Sequence, residues 1–230
     1  MGKLLIVGTV AFDAIETPFG KTDKILGGAA TYIGLAASQF EVESAIISIV
    51  GEDFPQEYLD LFTERNIDIS ALEIVKGGKT FFWKGKYHND LNSRDTLVTE
   101  LNTLADFNPV VPTNFNEADV VMLGNLHPIV QLSVINQMKK RPKLMEVIKH
   151  IDVLTINDEE ARQLTGEYSL VKAAQKIFTM GPKFVVIKKG EHGALLFNED
   201  QIFFAPALPL EEVFDPTGAG DTFAGGFSGY

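Results

Sequence analysis

Cysteine is missing altogether from the 230 residues, which removes disulfides, thiol nucleophiles and cysteine-based metal sites and suits a reducing compartment. Histidine occurs four times, and His88, His127, His150 and His192 share no metal-ligand spacing, so none is read as a zinc ligand. Positive charge is scarce as well. Twenty Lys and Arg stand against 31 Asp and Glu, for a net charge of −11 and an isoelectric point near 4.8. The densest basic run is Lys139-Lys140-Arg141, too little to serve nucleic acid or an anionic membrane surface. No apolar run approaches membrane-spanning length, and the N-terminus passes almost at once into Leu4-Leu5-Ile6-Val7-Gly8, too short for a secretory leader. A soluble cytoplasmic protein is the expectation. Also absent are the Gly-x-x-x-x-Gly-Lys-Ser/Thr run of Walker-type kinases and the GxGxxG of dinucleotide-binding dehydrogenases.

What is present is apolar enough to fold. Hydrophobic residues make up 45% of the chain, ample for a buried core in one large α/β domain over 1–230. Residues 3–7 form an apolar, β-branched run closed by Gly8, the pattern of a strand buried on both faces of a parallel sheet. Residues 27–40 read as a glycine turn entering an alanine-rich helix, 45–50 as a second buried strand, and 55–65 as a helix with Leu59 and Phe62 inward. The alternation continues with strands at 120–123, 153–156, 184–187 and 194–197 and helices at 129–138 and 170–178. Between 74 and 87 the pattern turns short and aromatic around Gly77-Gly78, predicting a hairpin outside the main sheet. One place breaks the rhythm. After Pro142-Lys143-Leu144 a strand is due, yet 145–150 reads as an amphipathic helix.

The richest chemistry lies in Asp215-Pro216-Thr217-Gly218-Ala219-Gly220-Asp221-Thr222-Phe223-Ala224-Gly225-Gly226-Phe227. Gly218, Ala219 and Gly220 let a polyanion approach the main chain, and glycine permits the positive φ that points several N–H groups at one spot. A helix is predicted from about Ala219, with Phe223 and Phe227 four apart on one face. Its unpaired first-turn amides and positive dipole end add to that anion cradle. Asp221 sits in the first turn, where it stays ionised and can take the proton of an attacking hydroxyl. A plain helix start would also use these residues, and the length of the run favours chemistry.

Other constellations are weaker alone. Asp13 follows the first strand at the end where open α/β sheets bind ligands, and it could equally cap a turn. Gly27-Gly28 precede a helix bearing Tyr32. Asn157 and Glu160 have capping-box spacing, and the same geometry directs an amide and a carboxylate toward phosphates and hydrated Mg²⁺. Lys188, Gly190 and Gly193 fall in Lys188-Lys189-Gly190-Glu191-His192-Gly193, most simply a solvated hairpin turn.

The run from Asp215 to Phe227 resembles, residue by residue, the C-terminal signature of the ribokinase-like (phosphofructokinase B type, PfkB) carbohydrate kinases. Looser similarity extends over essentially the whole chain. The resemblance implies a three-layer α/β/α fold with a mostly parallel central sheet and a small β-sheet lid drawn from about 9–20 and 74–90. It implies ATP-dependent phosphorylation of a primary hydroxyl of a sugar or sugar-like substrate. Asp221 would be the base, and Gly218, Ala219 and Gly220 the anion cradle. Asp13, Gly27 and Gly28 would bind the acceptor, where Tyr32 replaces the family's usual asparagine. Asn157, Lys188, Gly190 and Gly193 would line the nucleotide, Glu160 would act on Mg²⁺ through water, and Asp215 matches a position near a monovalent cation such as K⁺. A homodimer through the lid is a further implication. So are a segment absent between Leu144 and Met145, where the family carries a strand and loop, and a continuation beyond Tyr230. Two alternatives stay open: a nucleoside (adenosine-like) kinase, with Phe12, Tyr32 or Phe81 stacking on the base, and a non-catalytic sugar sensor of the same fold.

Overall fold

The computed structural model describes residues 2–91, 93–139 and 147–230. In chain order the elements are β1 (Gly2–Val7), β2 (Ala11–Thr17), β3 (Gly20–Lys21), β4 (Ile25–Gly27), α1 (Ala29–Ala37), β5 (Val42–Gly51), α2 (Gln56–Glu64), β6 (Ile67–Val75), β7 (Phe82–Tyr87), β8 (Arg94–Glu100), β9 (Val120–Leu123) and α3 (Pro128–Gln137). There follow β10 (Val153–Asn157), α4 (Asp158–Thr165), α5 (Leu170–Phe178), β11 (Phe184–Lys188), β12 (Ala194–Phe197), β13 (Ile202–Ala205) and α6 (Ala219–Gly229). By contact the chain divides into two compact units, residues 1–142 with 214–230, and residues 143–213.

The first unit is built on a parallel sheet of order β6-β5-β1-β9. Strand side chains alternate between faces. Leu4 and Ile6 therefore join a core with α1, α2 and Ala224 of α6, while Leu5 and Val7 join a second core with Phe107, Phe115 and Val134. All four are fully buried, the requirement that makes β1 an unbroken apolar run. A second sheet of order β3-β2-β7-β8, with β4 on β2, lies in the same unit.

The expected hairpin at 74–87 does not form. β6 pairs with β5 in the main sheet, whereas β7 pairs with β2 and β8 in the second. The chain leaves one sheet for the other after Gly77 because Thr80 is held elsewhere: its N–H and hydroxyl both donate to Asp53 Oδ1, at 2.8 and 2.7 Å. Strands β4, β6, β8 and β13 escaped sequence reading, whereas β2, β3 and β7 fall in the stretches, about 9–20 and 74–90, expected to supply strands outside the main sheet. The junction Leu144–Met145 lies outside the described residues, and of the helix expected at 145–150 the described part, Val147–His150, is a 3-10 turn.

The second unit has a sheet of order β10-β11-β12-β13, parallel at β10–β11 and antiparallel beyond. One face buries Val185, Ile187 and Phe197 against Ala161 of α4 and Ala173, Ala174 and Ile177 of α5.

α6 forms as expected, yet Phe223 and Phe227 share its exposed face, with their rings stacked 6.3 Å apart. The inward face is Ala224 and Gly225. A Cβ at position 225 would run into the carbonyl oxygen of Ile33 in α1, whereas one at 226 meets nothing within 4 Å. Gly225→Ala should therefore destabilise the protein by about 1–3 kcal/mol, and Gly226→Ala should stabilise it by up to about 1 kcal/mol through helix propensity. Urea unfolding of both variants measures the contrast, and equal shifts would disprove close helix packing at 225.

Candidate active site

At the end of β1 the chain turns at Gly8 and Thr9. Thr9 is buried and makes three bonds: its carbonyl accepts from the Ala30 amide at 2.9 Å, and its Oγ1 accepts from the Ala29 amide at 3.0 Å and donates to Asn125 Oδ1 at 3.1 Å. The cap of α1 thus comes from the β1 turn, because Gly28 at the N-cap has no side chain. Gly28 has φ 95°, and a Cβ there would strike the Thr9 carbonyl; no other residue type fits.

Asp13 lies in β2, opposite Ile25 of β4 on one side and Trp83 of β7 on the other. Its carboxylate crosses Gly27, where a Cβ would collide with it. This is why the double glycine is needed. Burial pushes the Asp13 carboxyl up from 3.8 to about 6; a hydrogen bond from the Gly28 backbone pulls it partly down, and the charges of Asp221 and Asp215 push it further up. The structure thereby brings Asp13, Asp215 and Asp221 into one electrostatic neighbourhood, although they are separated by some 200 positions of sequence.

Gly218 caps α6 in the left-handed conformation, φ 73°. A Cβ there would also sit only 2.6 to 2.7 Å from Tyr32 Cδ1, Cδ2 and Cε1, so the phenol ring lies against the glycine's bare α-carbon. Thr222 is the first residue of α6 to donate to a carbonyl four back, at Gly218 O, 2.8 Å. The amides of Gly220 and Asp221 precede that ladder at the positive end of the helix dipole, and Asp221 is half-buried. Ala219 is held in the turn by the Pro216 carbonyl at 3.1 Å. Asp215 Oδ1 accepts from the Thr217 amide at 2.9 Å. Tyr32 has its phenol pushed well above the usual range, by burial first and then by Asp13, Asp215, Tyr87 and Asp221; it remains a neutral hydroxyl at any working pH. A groove of about 360 Å³ is lined by Tyr32 itself with Leu35, Gln39, Leu61, Arg65 and Thr222.

In the second unit, Asn157 and Glu160 form a complete capping box: Asn157 Oδ1 accepts from the Glu160 amide at 2.7 Å and Glu160 Oε2 from the Asn157 amide at 2.8 Å. Lys188 stands in register beside Asn157 on the next strand. Gly190 and Gly193 bound the β11–β12 hairpin loop, and a Cβ at Gly193 would strike the Ala205 carbonyl of β13. Among the described residues no three His, Cys, Asp or Glu side chains cluster closely enough to hold a metal ion, and no helix is long and apolar enough to cross a membrane.

Sequence reasoning missed Thr9, Tyr87 and Thr217 as supports of the site. Tyr87 and Thr217 are 130 positions apart and are joined through their hydroxyls at 3.2 Å, a link no local pattern announces. Phe12, proposed above as a base-stacking ring, is 5% exposed and packs against Phe54 at 5.7 Å; core burial takes it out of that role.

Comparison with known proteins adds the following. The model of the pfkB family carbohydrate kinases matches residues 123–229. A cytidine kinase of Thermococcus kodakarensis is 31% identical over 252 aligned residues, covering 100% of this chain and 89% of that protein. Among solved structures, ribokinase from Cryptococcus neoformans in complex with ADP superposes with a TM-score of 0.82 at 20% identity, covering 100% of this chain and 86% of that one. The nucleoside kinase of Methanocaldococcus jannaschii gives 0.78 at 21%, covering 100% and 84%. The fold is therefore the ribokinase-like α/β fold.

The elevation of Asp13 has a measurable sign. A carboxyl raised by burial adds stability that is complete below about pH 4 and is lost as pH climbs through about 6. Asp13→Asn should unfold at higher urea than the parent at pH 8, by on the order of 2 kcal/mol, with the two proteins converging near pH 4. A pH-independent difference would contradict the burial of an ionisable group.

Proposed function

Because this chain belongs to the pfkB family of carbohydrate kinases, we propose that it transfers the γ-phosphoryl group of ATP to a primary hydroxyl of a sugar, free or carried in a nucleoside. The observation that carries this is the meeting of an acceptor-type carboxylate, Asp13, with the first turn of α6 and its Asp221. Asp13 and the backbone at Gly27 and Gly28 hold the acceptor through its hydroxyls. Asp221 receives the hydroxyl proton as the oxygen bonds to phosphorus, and the bridging P–O bond breaks to release ADP. The amides at Gly218 and Gly220 would face the charge on the transferring group, while the Ala219 amide, engaged by the Pro216 carbonyl, holds the turn that presents them.

Asn157 with Lys188, Gly190 and Gly193 serves the nucleotide in this reading. Glu160 uses one carboxylate oxygen for its helix cap, and its first-turn position suits contact with the water shell of Mg²⁺. Bound with ATP, that ion would neutralise phosphate charge. Since no three carboxylates among the described residues are placed to hold a metal ion together, phosphate oxygens and water would supply most of its ligands. Asp215 is the residue for a monovalent cation.

A nucleoside as acceptor is the second reading, and one observation favours it. Trp83 sits directly across from Asp13 in the second sheet; its indole lies over Gly85, which has no side chain to displace it, and its Nε1 donates to Thr96 Oγ1 at 3.3 Å. An anchored ring on the strand paired with that of Asp13 suits stacking with a base.

Measuring ADP release over a panel of ribose, fructose, adenosine and cytidine tests the function and separates the readings; no turnover with any acceptor, beside intact ATP binding, would leave a sensor. Asp221→Asn should keep ATP binding and lose on the order of 10²–10⁴-fold in turnover. Near-normal turnover would refute its role as base. Tyr32→Asn should reorder acceptor preference more than it changes KM for ATP, and an unchanged order would remove Tyr32 from the acceptor pocket.

A further inference from the structure

We infer that Tyr87, at the end of a strand in the sheet that carries Asp13, is a positioning residue for the phosphate cradle and acts through Thr217. The inference rests on the kinase reading above. Tyr87 is the last residue of β7 and is 7% exposed. The Thr217 hydroxyl donates to Tyr87 Oη at 3.2 Å. Thr217 is also fixed by its amide, which donates to Asp215 Oδ1 at 2.9 Å. The next residue is Gly218, the left-handed cap that sets the direction of every amide in the first turn of α6. A shift of Thr217 therefore turns the cradle itself.

A second contact joins the same two segments independently. The ring of Phe19, between β2 and β3, meets that of Phe214 edge to face at 5.4 Å. The second sheet thus holds the loop ahead of α6 at both ends, Phe214 and Thr217. Between these holds the loop is exposed from 214 to 215, and its own turn bonds are few: Thr217 to Asp215 and Ala219 to Pro216. An exposed loop with so little internal bonding takes its conformation from what grips it. The buried grip is Tyr87. Because β7 is hydrogen-bonded along β2 at Asp13 itself, one rigid ribbon then carries both the acceptor's carboxylate and the anchor of the cradle.

The test compares Tyr87→Phe, Thr217→Val, their double variant and Thr217→Ser. The readouts are affinity for the non-hydrolysable ATP analogue AMP-PNP by calorimetry, KM for ATP, KM for the best acceptor of the panel, and melting temperature. Loss of one neutral hydrogen bond corresponds to about a five-fold weakening. Tyr87→Phe and Thr217→Val should each weaken AMP-PNP and raise KM for ATP by about that factor, with KM for the acceptor moving less than about two-fold. The double variant should be no worse than either single change, and Thr217→Ser should retain parental values. Unchanged nucleotide affinity in Tyr87→Phe, or losses that add fully in the double variant, would overturn the inference alone. Should Tyr87→Phe fail to fold, Thr217→Val against Thr217→Ser decides in its place. A parent protein that binds no AMP-PNP would overturn the kinase reading and this inference with it.

Discussion

The approach of α6 to α1 constrains everything else in the first unit. At Gly225 backbone meets backbone, and at Gly218 an aromatic ring rests where a side chain would otherwise begin. Helices this close leave no freedom to rotate one against the other without collision. The first turn of α6 must therefore face the segment that opens α1, and Gly27, Gly28 and the β2 carboxylate come with it. Bulk at 218 or 225 would part the helices and separate the two halves of the chemistry.

That closeness has an electrostatic consequence. Asp221 and Asp215 sit near enough to add to the elevation of Asp13 in a chain already at −11, and a nucleotide is itself anionic. Among the described residues, no side-chain cation is among the groups that act on Asp13. Lys21 and Lys84 pair with Glu16, and Lys24 lies over the ring of Phe12. The positive potential comes instead from peptide dipoles at the start of α6; in the proposed reading, a metal ion bound with the nucleotide would add to it.

Much of this was legible in the residues. The apolar run of β1, buried on both faces, the glycine turn before α1, the helix from Ala219 and the 188–193 hairpin were read where they occur, because each is fixed by local chemistry: an apolar run, a missing Cβ, a cap. The misreadings have separate physical causes. At 74–87 the Gly77-Gly78 turn was assumed to join partners, whereas Asp53, 27 residues upstream, captures Thr80 and sends the strand to another sheet. The β8 strand, Arg94-Asp95-Thr96-Leu97-Val98-Thr99-Glu100, is mostly exposed and so lacks the apolar alternation that marks a strand. Phe223 and Phe227 mark a helix correctly while facing outward, since packing on α1 selects small residues over large ones.

Asp13 illustrates the last step, from stability to function. An ionised carboxylate in this position is held at a cost the ligand-free fold must bear, since neighbouring carboxylates and burial both oppose it. In the proposed reading, acceptor hydroxyls that donate to it would replace the lost water, and binding would relieve a strain already present. Below about pH 6 the carboxyl keeps its proton and the strain is absent, so in that reading the preference for hydroxyl donors would weaken for the same reason that the fold becomes more stable. Destabilisation of the empty site and, in the proposed reading, selectivity of the filled one are one property of Asp13, whose burial opposes its charge while the Gly28 backbone hydrogen bond offsets part of that opposition.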